Sequence, residues 1–346
     1  MKPHKFIVSI LSLVPLCACQ SNVRTSGVDD YRHVITSTND TFSVLQLTDI
    51  HWCYATKLSD STNYLTHVLD FAKEKAGQID LVVITGDSFL GANQAMVTKL
   101  YSFIDSWDIP FAVTYGNHDK EGDWGRAWMN QAIQKGKNAI SLPHDDDNVD
   151  GDTNYFVDWN DGNDTIWRFY LLDSNSLILE NAISYGYDGI HENQVQWMKT
   201  MANQSVHTIP SLGFMHIPPK EFGDASKEAK ADRSRWILGE QNEKTCESAV
   251  DSSFVTVAKS IGMRGVFFGH DHSNDFVIQD QDGFTMGYGV KSGTELYYHE
   301  DETSKQTLTG GALYTVKKDD SYDLEHLYVD DHEGYPVSSI RREGLR

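Results

Sequence analysis

The chain is short of positive charge. Across 346 residues, 29 Lys and Arg stand against 50 Asp and Glu, a formal net charge of -21. Such a surface repels nucleic acid and anionic membrane and so argues against a long phosphate-backbone partner. It leaves room for a small phosphate ester, because bound metal ions can reverse the field locally. Cysteine is scarce as well: of four, Cys17 and Cys19 lie near the N-terminus, and only Cys53 and Cys246 lie in the body of the chain. Those two could form one disulfide in an oxidising compartment, but they cannot make a framework. The apolar segment from Phe6 to Leu16 spans eleven residues, too few to cross a bilayer comfortably. A Gly-rich nucleotide loop, internal repeats and a low-complexity linker are all missing. What remains is globular: 40% hydrophobic residues, with 8 Trp, 16 Tyr and 15 Phe, enough for a large core.

At the start, Met1-Lys2-Pro3-His4-Lys5 precedes that apolar segment, the pattern of a signal peptide. Leu16-Cys17-Ala18-Cys19, followed by Gln20-Ser21, resembles a bacterial lipobox, which implies acylation of Cys19; ordinary cleavage near Ala18 is the alternative. Either implies export to the cell envelope, lipid-anchored or periplasmic, with membrane contact only through the N-terminal lipid. Removing residues 1–18 takes away Lys2 and Lys5 and no acid, so the charge moves from -21 to -23. Residues 19–40, rich in Ser, Thr and Asp, read as a tether, and residues 41–340 as a single folded domain.

The first part of that domain predicts strands at 42–48, 81–85 and 111–114, separated by helices at 61–76 and 93–107. A β-α-β-α-β run of this kind implies parallel strands with right-handed crossovers, whose ligands gather beyond the carboxyl ends of the strands. A helix is expected over 124–135. The Asp-rich stretch that follows (Asp145, Asp146, Asp147, Asp150, Asp152, Asp158, Asp161, Asp164) lacks EF-hand order and reads as a solvated surface excursion. Further strands fall at 155–159, 165–172, 210–215 and 265–268, with helices at 194–204 and 254–261. Residues 220–250 read as a loop with short helices. Segments 275–279, 284–288, 311–317 and 322–329 alternate and predict a second, more antiparallel sheet.

Five times, an apolar run ends in a residue able to hold a metal. Thr48 leads into Asp49-Ile50-His51, Thr85 into Gly86-Asp87, and Thr114 almost at once into Gly116-Asn117-His118-Asp119. Met215 leads into His216, and Phe268 into Gly269-His270-Asp271-His272. On an extended backbone, residues i and i+2 point to one side, so Asp49 with His51 and His270 with His272 could each offer two ligands in one direction. Imidazoles, carboxylates and an amide oxygen suit zinc, iron or manganese better than calcium. Seven candidates exceed one tetrahedral site and point to two ions sharing a carboxylate. Cys53 is a conceivable ligand, but a plain buried thiol is the favoured reading. Histidines 4, 33, 67, 144, 191, 207, 299, 326 and 332 lack this context and read as structural.

This series of motifs resembles the calcineurin-like metallophosphoesterase superfamily over residues 42–290. The segments Leu45-Gln-Leu-Thr-Asp-Ile-His51, Tyr185-Gly-Tyr-Asp-Gly-Ile190 and Phe268-Gly-His-Asp-His-Ser-Asn-Asp-Phe276 resemble its purple-acid-phosphatase-like branch. The resemblance implies an α/β fold, a four-layer α-β-β-α sandwich with a dimetal site at the strand ends, and makes residues 41–340 a metallophosphoesterase domain. It implies that Asp49, His51, Asp87 and His272 hold one divalent ion (manganese, iron or zinc) and that Asp87, Asn117, His216 and His270 hold another. It implies that His118 acts as general acid or transition-state stabiliser, with Asp119 orienting it. Purple acid phosphatases carry a Tyr three residues after the bridging Asp. Here that position is Leu90, which favours two divalent ions over a coloured ferric centre. The expected activity is hydrolysis of a small phosphate ester by metal-bound hydroxide. A phosphodiesterase of the same fold and a noncatalytic binding lipoprotein are the rival readings.

Overall fold

A computed structural model describes residues 28–53, 58–121, 125–143, 148–181, 183–293, 309–329 and 338–346. The expected signal peptide, Cys19 and Asp145 to Asp147 lie outside the described residues. No helix among the described residues is long and apolar enough to cross a membrane.

The strands are β1 (Arg32–Thr36), β2 (Thr41–Leu47), β3 (Leu81–Thr85), β4 (Phe111–Thr114), β5 (Tyr155–Asp161), β6 (Asp164–Leu171), β7 (Leu177–Glu180) and β8 (Ile183–Tyr187). They continue with β9 (Ser211–Phe214), β10 (Trp236–Leu238), β11 (Met263–Phe268), β12 (Val277–Gln279), β13 (Thr285–Tyr288), β14 (Gly310–Lys317), β15 (Tyr322–Tyr328) and β16 (Ser338–Leu345). The helices are α1 (Leu58–Ala76), α2 (Gln94–Asp105), α3 (Gly125–Ile133), α4 (Glu192–Ala202), α5 (Lys220–Ala231) and α6 (Phe254–Ser260).

The opening β2-α1-β3-α2-β4 unit folds as its sequence predicts, with β2, β3 and β4 parallel. Every residue of β3 is buried, as a parallel strand covered on both faces requires. Alternation along β2 sorts its side chains between two cores. Leu45 and Leu47 face α1 and α2, together with Val82, Ile84 and Val113. Phe42 and Val44 face the other way, toward Trp159, Trp167, Phe169 and Phe214 of a second sheet. The outer face of that second sheet is covered by α4, α5 and α6 through Val195, Met198, Phe222, Phe254 and Ala258, which pack against Phe268 and Met286. Three stacked cores separate four layers, α-β-β-α.

The six-stranded sheet runs β16-β15-β14-β2-β3-β4, and the eight-stranded sheet runs β1-β5-β6-β9-β11-β13-β12-β10. The late alternating segments therefore do not make a sheet of their own. β14 pairs antiparallel with β2, and β13 pairs parallel with β11. Each fills an edge that the parallel core would otherwise leave with unpaired backbone groups. Three other expectations change. Residues 32–36, read as tether, form β1 and pair with β5. Residues 220–231 form one helix, because Phe222, Ala225 and Ala229 share a face that the charged composition obscured. Asp158, counted with the solvated aspartates, is fully buried and gripped by Arg168 through contacts of 2.7 and 3.0 Å.

Candidate metal centre

The carboxyl ends of β2, β3 and β4 in one sheet and of β9 and β11 in the other meet at one edge of the sandwich. The loops there are tied by backbone bonds that continue beyond the strands. The N–H groups of Asp49, His51 and Trp52 donate to the carbonyls of Gly86, Asp87 and Ser88 at 3.0–3.1 Å. The Gly269 N–H donates to the His216 carbonyl at 3.1 Å. Gly86 and Gly116 lie back to back: a Cβ on Gly86 would meet Gly116 N at 2.5 Å, and one on Gly116 would meet Asp87 Oδ1 at 2.2 Å. No side chain fits at either position.

Convergence does not come from extended backbone. Asp49, His51, Asp87 and His270 have φ of 49°, 47°, 49° and 81°, the left-handed region that non-glycine residues seldom adopt. β2 and β11 have already ended at Leu47 and Phe268. The i and i+2 side chains are aimed by tight turns, and the strain of holding them is concentrated where the ligand atoms gather.

Those atoms form two groups. Ligand atoms of Asp49, His51, Asp87 and His272 lie within 4.8 Å of one another, and so do those of Asp87, His216 and His270. Asp87 belongs to both. Its Oδ2 lies 3.0 Å from His216 Nε2 and 3.7 Å from His51 Nε2, while its Oδ1 accepts the His118 N–H at 2.8 Å. Asp49 Oδ1 lies 3.3 Å from His272 Nε2, and its Oδ2 accepts the Thr48 hydroxyl at 2.8 Å. His216 Nδ1 sits 2.9 Å from the Thr85 carbonyl; donating there leaves Nε2 to face Asp87. Cys53 joins neither group, and Cys53 and Cys246 are not joined in a disulfide.

The residues fit a pair of cations. Among the described residues, Asn117 Oδ1 and His270 Nε2 are buried with no hydrogen-bond partner, a costly condition unless an ion completes them. Burial, with the nearby His216 adding to it, pulls His270 down to about 3, so its imidazole is neutral and able to ligate. Burial also opposes charge on His216, but Asp87 and Asp49 outweigh it and push the ring up to about 10. An ion here must displace that proton. Burial likewise opposes ionisation of Asp87, yet His216 holds its carboxyl well below the usual range.

His118 stands beside these groups, its ring centroid 5.3 Å from that of His51. Asp119 does not orient it. The Asp119 carboxylate turns inward and accepts the N–H groups of Asp87, Ser88 and Gly116 at 2.8–2.9 Å. Burial and the charge of Asp87 push its carboxyl up to about 7, against the pull of those donors. The partner of His118 Nδ1 is Glu121 Oε1 at 2.6 Å, which the sequence reading missed. Residues 118–120 form a 3-10 turn, where positions i and i+3 eclipse, and that spacing is the signal that could have found it. Tyr187 was also missed as a neighbour of the centre; its ring lies 4.1 Å from that of His270.

The sequence profile described as calcineurin-like phosphoesterase matches residues 42–274, about two thirds of the chain and all the loops just described. The chain belongs to the calcineurin-like phosphoesterase family. It is a metallophosphoesterase, and its clustered side chains are those of a dinuclear metal site. Among its relatives, "Probable inactive purple acid phosphatase 14" of Arabidopsis thaliana is 29% identical, covering 85% of this chain and 81% of the relative. "Phosphatase DCR2" of Saccharomyces cerevisiae is 27% identical over 69% of this chain, which matches only 45% of that longer protein. A dimetal phosphatase from Danio rerio shares the fold, with a TM-score of 0.51 at 14% identity, covering 82% of this chain and 94% of that one. This metallophosphoesterase fold is the four-layer sandwich described above.

Proposed function

We propose that this metallophosphoesterase is a phosphatase acting on small phosphate monoesters. The observation that carries the reading is Asp87 shared by two ligand groups, with the His118 ring beside His51, its N–H on the shared Asp87, and His118 a member of neither group. Asp49, His51, Asp87 and His272 would hold one divalent ion and Asp87, Asn117, His216 and His270 the other, with manganese, iron or zinc the candidates. Leu90 stands where purple acid phosphatases carry a tyrosine, which favours two divalent ions. When bound, such ions supply an activated water and positive charge against the phosphate oxygens.

The chain's own residues do the rest. His118 donates a proton to the alcohol oxygen as the phosphorus–oxygen bond breaks and water's oxygen takes its place. Glu121 fixes the His118 ring through Nδ1. Asp119 holds the loops of Asp87 and Gly116 in register. The acidic surface disfavours nucleic acid as substrate.

The name of the Arabidopsis relative gives a second reading, a noncatalytic binding protein, some weight. The full set of candidate ligands and the presence of His118 weigh against it. Metal-loaded protein assayed on an aryl phosphate monoester and the matching diester decides between them. Faster monoester turnover supports the phosphatase, faster diester turnover makes it a phosphodiesterase, and turnover of neither leaves the binding reading. We also propose export, with Cys19 acylated. Partition of the protein into detergent, lost in Cys19→Ala, would support the anchor, and equal aqueous partition would remove it.

A further inference from the structure

Among the described residues, strands β7 and β8 pair only with each other and join neither main sheet. Their base is fastened at the metal centre. Asp188 N–H donates to the Ser176 carbonyl at 3.0 Å, Ala249 N–H to the Tyr187 carbonyl at 2.9 Å, and the Ser176 hydroxyl reaches the Asn117 carbonyl at 3.4 Å. Leu177 lies opposite Tyr187, whose ring rests edge-on against His270. From that base the ribbon continues with Leu179, Ile183 and Tyr185, which are 61%, 60% and 60% exposed. Six large hydrophobic side chains are exposed among the described residues. Four of them (Leu177, Leu179, Ile183 and Tyr185) are on this ribbon. The strand residues carry one charge, Glu180, in a chain of net charge -21. A two-stranded ribbon gains little stability of its own from such residues, and an apolar patch of this kind marks a surface that meets something apolar.

The geometry points to this ribbon as the platform for the alcohol portion of the substrate: we propose that its apolar side chains receive an alkyl or aryl group while the phosphate lies at the metal centre. The proposal rests on the phosphatase reading and narrows its substrate class to esters of apolar alcohols. Tyr187 marks the near end, beside a candidate ligand. Four residue steps along β8, through the register shift that sets Ile183 opposite Glu180, lead from it to Ile183, roughly 13 Å at the usual rise, room for a medium alkyl chain. The charge on the rest of the protein disfavours an anionic lipid surface as the occupant.

The test uses the metal-loaded full chain with n-octyl phosphate and methyl phosphate, beside a Leu179→Ser/Ile183→Ser/Tyr185→Ser variant checked for metal content and circular dichroism. Wild type should prefer the octyl ester by about tenfold in kcat/KM, chiefly through KM, from the apolar area covered. In the variant that ratio should fall toward one. Calorimetric binding of n-octylphosphonate and methylphosphonate gives a readout that needs no turnover. If neither ester is hydrolysed yet wild type binds the octylphosphonate more tightly and the variant does not, the phosphatase reading fails and the platform stands. Equal binding of the two phosphonates by wild type, or a preference that survives in the variant, overturns the platform. So does a variant that loses only adhesion to neutral lipid vesicles, which would assign the ribbon to a membrane surface.

Discussion

His118 and Glu121 meet at 2.6 Å through Nδ1 and Oε1, while the adjacent Asp119 faces into the protein. Two neighbouring carboxylates thus have separate tasks, one toward the reacting side and one toward the loops. His118→Ala should leave ion content and folding nearly intact and lower turnover by on the order of 10²–10⁴, the usual worth of a positioned general acid. The loss should be greatest for esters with poor leaving groups. Glu121→Gln should lower kcat by roughly tenfold with KM little changed. Loss of an ion from His118→Ala, measured by elemental analysis, would contradict the placement of that ring outside both groups.

Asp119→Ala should behave differently. It leaves three buried N–H groups unpaired, those of Asp87, Ser88 and Gly116. Each unsatisfied donor costs about 1–3 kcal/mol, so a drop of at least about 3 kcal/mol is expected in denaturant unfolding. Ion content should fall with it, because Asp87 loses its brace. A variant as stable as wild type but slow would return Asp119 to an orienting role.

The contrast shows what the sequence could reveal. The opening β-α-β-α-β unit was readable because apolar runs such as Leu81-Val-Val-Ile84 and the periodic helix of Tyr64, Leu65, Val68 and Leu69 carry their own pattern. The candidate ligands were readable as residue types following those runs. How they are aimed was not: left-handed φ at Asp49, His51, Asp87 and His270 is imposed by bonds between loops far apart in the chain. Sheet membership of β13 and β14 was hidden for the same reason, since it depends on which edges the earlier strands leave open. Resemblance gave Asp119 a role that Glu121 fills here, because neighbours in sequence can point to opposite sides of a tight turn.

Metal content follows from Asp87. Wild type should bind about two divalent ions, and Asp87→Asn should weaken both, since its ligand atoms are shared by the two groups. Asn117→Ala should weaken one. Elemental analysis after dialysis distinguishes these outcomes, and a single ion in fully active wild type would end the dinuclear reading. With Leu90 in place of a phenolate, the loaded protein should show no intense visible absorption band.

His191 gives a pH dependence away from the ions. It is the N-cap residue of α4, with Nε2 2.7 Å from Asp188 Oδ1 and Nδ1 against Asp150, and so joins the return of the β7–β8 ribbon to the loop before β5. The bond to Asp188 leads in raising its pKa; partial burial opposes this, Asp150 assists, and the ring is pushed up to about 9. A histidine raised above its ordinary value of about 6.5 stabilises the fold most where both folded and unfolded chains hold the proton. Its contribution should therefore be complete below pH about 6.5 and should disappear as the pH rises through about 9. The ring is about one third exposed, so solvent screening keeps the effect modest. Comparing unfolding of wild type and His191→Gln should show a stability gap at pH 6 that narrows steadily by pH 9.5. A gap that is constant across this range would mean that His191 acts through packing alone.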